Sequence, residues 1–146
     1  MKQVNTRIIR GWALIDLAIG LLMAVPPVAQ GFLSFLYSLS NLFGGKHDIA
    51  EFPALGMMLM SMAGALIIVW ALARLLRPDR LLATIDTLAR IWVGGLIGWF
   101  VLFQGVPLVI LAFVVGEWAG ALHQGIMLTS RRVSPPGHRP DQGSSG

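Results

Sequence analysis

Residues 53–76 read PALGMMLMSMAGALIIVWALARLL. From Pro53 to Ala73 the stretch carries no charge, and its single ionisable side chain, Arg74, stands near the far end. A helix that crosses a hydrocarbon core of about 30 Å needs about 20 mostly apolar residues, because each residue adds about 1.5 Å. The stretch has that length and that composition, so it reads as a membrane-spanning helix.

Three further segments have the same character: residues 8–29, 87–103 and 107–128. Polar or turn-forming sequence separates them. The breaks are Asn41 to Glu51 with Gly44 and Gly45, then Arg77-Pro78-Asp79-Arg80, then Gln104-Gly105-Val106-Pro107, whose proline suits the first turn of a helix. The expectation is an all-α integral membrane four-helix bundle in one domain, residues 1–132. A tail of Pro, Gly, Ser and Arg over residues 133–146 reads as disordered. A secretory signal peptide would also start with basic residues and an apolar run. Asp16 inside that run and Pro26-Pro27 close to Ala29, where cleavage would fall, argue against it.

Composition agrees. Of 146 residues 55% are hydrophobic and 12% charged, against about 25% charged in soluble domains, and mean hydropathy is +0.73. The absence of cysteine excludes disulfides and thiolate metal sites. The net charge of +4 is explained by topology, with the lipid bilayer and not nucleic acid as the partner. Lys2, Arg7 and Arg10 precede the first segment, Arg74, Arg77, Arg80 and Arg90 flank the connection from second to third, and Arg131, Arg132 and Arg139 follow the fourth. That puts ten of the eleven basic residues on one side and Lys46 alone on the other. The positive-inside rule makes the basic side cytoplasmic, so both termini are expected inside. Trp12, Trp70 and Trp92 fall near the same boundary, where indole rings prefer to lie.

After the first segment, Phe32, Phe35, Leu36, Leu39 and Phe43 recur at helical spacing, with Ser34, Ser38 and Asn41 opposite. A short amphipathic interfacial helix is expected there. Gly94 and Gly98, and then Ala112, Gly116 and Gly120, repeat small residues every four positions. Such spacing lets backbones approach closely in lipid, so the third and fourth helices are expected to pack through these positions, with self-association as the alternative. The methionines at 57, 58, 60 and 62 could supply soft ligands to Cu(I), but they lack a nearby Cys or His and read as packing.

The informative residues are charges at membrane depth. Asp16 lies about two turns into the first segment and Glu117 near the middle of the fourth, where an isolated charge costs several kcal/mol. Arg90, and Arg10 at the mouth of the first segment, are the reachable counter-ions, which defines a candidate polar cluster of Asp16, Arg90, Glu117 and Arg10. The cluster is either a register lock or a proton, ion or headgroup site. No Ser-His-Asp set, H-E-x-x-H, phosphate-binding Gly loop or di-metal carboxylate pattern is present, so no catalytic or metal-binding residue is assigned.

The basic start, the amphipathic stretch, Arg90 at the entry to the third segment, the Gly105-Val106-Pro107 turn and Glu117 together resemble the DoxX-like small four-helix membrane proteins of bacteria, over roughly Arg7 to Gln124. The resemblance implies a four-helix bundle in the bacterial cytoplasmic membrane, with Arg90 and Glu117 as its polar centre. Some members of that group are linked to quinone-coupled sulfur oxidation; cysteine-dependent redox chemistry does not transfer to a chain without cysteine.

The function expected is non-enzymatic: a structural or accessory subunit of a membrane assembly, or a homo-oligomer, working without a cofactor. Two alternatives stay open. One is a quinone- or lipid-binding protein with a polar intramembrane site, and the other a small oligomeric transporter or pore.

Overall fold

The computed structural model describes residues 6–45 and 53–130. These form five α-helices: α1, Thr6–Ala24; α2, Pro26–Leu42; α3, Ala54–Leu76; α4, Arg80–Phe103; and α5, Leu111–Thr129, which is entered through a single 3₁₀ turn, Leu108–Ile110. There is no strand among the described residues. Lys2, Lys46, the basic residues from Arg131 onward and the expected tail lie outside them.

The first expected segment, 8–29, is two helices rather than one. Pro26 has no N–H to donate and its ring would collide with the preceding turn, so α1 stops at Ala24 and Val25 turns extended, with φ −102° and ψ 108°. Pro26 and Pro27 then occupy the first positions of a new helix, where a missing N–H costs nothing. α2 leaves α1 at 103°. It is longer than the expected interfacial helix and presents a different face. Ala29, Leu36 and Ser40 are buried, Phe32 meets Phe113 edge to face at 6.2 Å, and Phe35 and Phe43 are exposed. α2 ends in a Schellman cap: Gly44 at φ +89° donates to Asn41 O and Gly45 N–H returns to Ser40 O.

The third segment is also revised. Pro78 ends α3, and Asp79 caps α4 by accepting from Leu82 N–H at 2.9 Å, so that helix begins at Arg80 and not at residue 87. Pro107 stands just ahead of its 3₁₀ turn rather than within it.

α1 lies antiparallel on α3 and α4 on α5. The closest approach of the first pair uses Gly20 and Gly64: a Cβ on Gly64 would stand 2.5 Å from Ala24 N, and one on Gly20 2.9 Å from Ile68 Cγ1. The expected glycine seam of α4 and α5 is used only in part. Gly94 makes room for the Trp118 indole and Gly120 for the Arg90 side chain, whereas Gly98 and Gly116 face open space and Ala112 is exposed.

Burial is inverted relative to a protein that folds in water. Arg74 and Gln124 are two of the three largest wholly buried side chains, while Leu59, Leu66, Val69, Leu88 and Leu122 expose between 56% and 70% of their surface. Lipid tails solvate such an exterior, and small residues and polar pairs supply the interior. Three helical stretches are long and apolar enough to cross a membrane, Ala54–Leu76, Arg80–Phe103 and Leu108–Thr129, and the bent pair α1 and α2 makes a fourth if counted together.

Candidate functional site

The helices α1, α3, α4 and α5 each direct one stripe of mostly small and polar residues inward at helical spacing. On α1 this is Ile9, Ala13, Asp16 and Gly20; on α3, Gly64, Ala71 and Arg74; on α4, Ala83, Asp86, Arg90 and Gly94; on α5, Val114, Glu117, Ala121 and Gln124. Where the stripes face one another, five charges and one amide meet.

Asp86 is the hub. Its Oδ1 accepts from Trp70 Nε1 at 2.8 Å, and its Oδ2 accepts from Arg74 Nη1 at 2.6 Å, Gln124 Nε2 at 2.7 Å and Arg90 Nε at 2.9 Å. Three of the four donors converge on Oδ2 and one on Oδ1. The Arg90 bond is also an i, i+4 pair along α4, with the acid N-terminal to the base as the helix dipole favours. Asp16 reaches both guanidinium groups, accepting from Arg74 Nη2 at 2.5 Å and from Arg90 Nη2. Glu117 Oε2 accepts from Arg90 Nη1 at 3.0 Å.

Aromatic rings cover the cations. Arg90 lies 5.2 Å from the Trp12 ring centre and Arg74 5.8 Å from that of Trp70, within reach of a cation–π attraction. Trp12 Nε1 in turn donates to His123 Nδ1 at 3.3 Å. Two tryptophans that read as interfacial anchors are thus parts of the cluster.

The cluster joins the two helix pairs. At 1.5 Å per residue, Asp16 and Arg90 lie about 15 Å from the ends of α1 and α4 nearest the basic loops, Asp86 about 9 Å and Glu117 about 18 Å from the matching end of α5. That these ends coincide is shown by Arg80 Nη2 donating to Leu128 O at 3.2 Å and by the Trp12–His123 contact.

Of the residues singled out from sequence, Asp16, Arg90 and Glu117 come together. Arg10 does not: it is exposed and lies six positions before Asp16, about 240° around the helix, on a different face. Its expected place is taken by Arg74. Sequence reasoning reads Arg74 as a loop charge and Trp70 as an interfacial anchor, and gives Asp86 and Gln124 no role. Asp86 fell in the apparent loop before residue 87, though its position four before Arg90 marks a helical ion pair. Arg74 was counted among the loop charges.

A shallow, open groove lies elsewhere on the described residues. Its volume is about 570 Å³, and it is lined by Pro26, Met57, Met58, Ser61 and Met62 among others. Ser61 is thirteen residues before Arg74, so the groove is about 20 Å along α3 from the cluster. Among the described residues no group of three or more His, Cys, Asp and Glu side chains is arranged to hold a metal ion. Set against family models, curated proteins and solved structures, the chain finds no match in any of the three.

Proposed function

We propose that the chain is a four-span protein of the bacterial cytoplasmic membrane, with both termini inside, that acts as a non-enzymatic structural or accessory subunit of a membrane assembly. Support for the fourth span comes from the antiparallel contact of α1 with α3, since a helix lying along a spanning helix crosses with it. α2 then rests on the outer surface. Eight basic residues remain as loop charges on the inner side once Arg74 and Arg90 are assigned to the interior, which leaves the orientation unchanged.

The observation that carries the functional reading is that the five charged side chains of the cluster all pair with one another across α1, α3, α4 and α5. Asp86 accepts from four donors, both guanidinium groups are at most 5% exposed, and the groove is remote. Such a network aligns helices in lipid, where hydrophobicity supplies no attraction between them. Buried charges in this role set register rather than add stability. Native mass spectrometry of the protein extracted in mild detergent is expected to show a second protein at fixed stoichiometry. A chain carrying one quinone or lipid molecule and no other protein would overturn this reading in favour of ligand handling.

A further inference from the structure

The charges of the cluster do not balance. Asp16, Asp86 and Glu117 supply three carboxylates, and Arg74 and Arg90 two guanidinium groups. Among the described residues the ion pairs of these three carboxylates are made with Arg74 and Arg90. Arg10 is on another face of α1, and His123 pairs with Trp12, whose Nε1 donates to its Nδ1. A surplus negative charge at this depth is unfavourable in lipid.

The three acids are not equivalent. Asp86 is held by four donors and is 4% exposed; Asp16 is held by both arginines and is 13% exposed; Glu117 receives one bond, at Oε2, and is 23% exposed. Two further atoms of the network need a protic partner. Arg74 Nε and Gln124 Oε1 belong to wholly buried side chains bonded to Asp86, and neither has a hydrogen-bond partner. One is a donor and the other an acceptor.

We propose that the cluster is a binding site for one exchangeable proton, carried on Glu117. Binding converts the carboxylate and H⁺ to a carboxylic acid whose hydroxyl is Oε1, while Oε2 continues to accept from Arg90. The site is then neutral, with two cations and two anions. A proton suits it better than a metal ion, because both arginines already occupy the carboxylate edges that a metal would need.

The chain has only two glutamates, Glu51 and Glu117, which makes the site readable by infrared spectroscopy. The full-length protein is reconstituted in liposomes with and without ¹³C-carboxyl glutamate. At neutral pH the carbonyl stretch of a protonated carboxyl group is expected; the label shifts it, Glu51→Gln keeps it and Glu117→Gln abolishes it. Glu117→Gln retains an oxygen for Arg90. Should that variant fail to fold, the labelled Glu51→Gln protein decides alone, since Glu117 is then its sole glutamate. Absence of a label-sensitive band overturns the proposal. So does its survival in Glu117→Gln, or its removal by sodium at constant pH, which would make a metal ion the bound cation.

Discussion

Arg74 Nη1 donates to Asp86 Oδ2 at 2.6 Å, joining the last turn of α3 to the second turn of α4 across the Arg77–Asp79 connection. The pair is almost wholly buried, with side-chain exposures of 0% and 4%. Asp86 bonds also to α5 through Gln124, so one carboxylate touches three helices.

Removing this hub leaves both arginines under-compensated. Asp86→Ala is expected to destabilise the protein by about 3 to 5 kcal/mol, the range for breaking one side of a buried charge network. Thermal unfolding in detergent, followed by circular dichroism, measures the change. Arg10→Ala, on the outside of α1, should leave the midpoint unaltered.

The carboxylates should rank by the number of donors that hold them. Asp86→Asn is expected to be the most damaging, Asp16→Asn intermediate, and Glu117→Gln the mildest, within about 1 kcal/mol of wild type because one hydrogen bond holds the acid and the amide keeps an oxygen for Arg90. Equal losses at all three positions would show that the cluster does not have a hub.

Helix packing discriminates among the glycines. Gly64→Ala forces a methyl group against the backbone of Met23 and Ala24, which cannot rotate away, and should cost about 1 to 3 kcal/mol. Gly98→Ala and Gly116→Ala place theirs in open space and should be neutral. Gly94→Ala falls between, since the obstacle is the Trp118 side chain. The same unfolding assay separates the three outcomes.

Topology can be read with single cysteines, because the natural chain has none. Asp79→Cys and Ser130→Cys should react with an impermeant maleimide only from the cytoplasmic side, and Gly45→Cys only from outside. Labelling of position 130 from outside would remove the even number of spans.

Local composition was enough to determine the α-helical fold, the presence of helices long and apolar enough to cross a membrane, and the approximate extent of α3 and α5, because hydropathy and length act residue by residue. Pro26 and Asp79 show where that reading stops short. Each marks a helix start through backbone chemistry, yet Pro26 lies inside an apolar run and Asp79 ahead of one, so hydropathy alone put both boundaries in the wrong place. Asp16, Arg90 and Glu117 were legible as charges that needed partners. Their actual arrangement was not: Arg74 replaces Arg10 and Asp86 becomes the centre. Which residues meet depends on the rotation of each helix about its axis and on how closely it approaches its neighbour. Those two quantities are decided by contacts such as Gly64 on Ala24 and Gly120 on Arg90, which join residues far apart in the chain and exist only once the helices have packed.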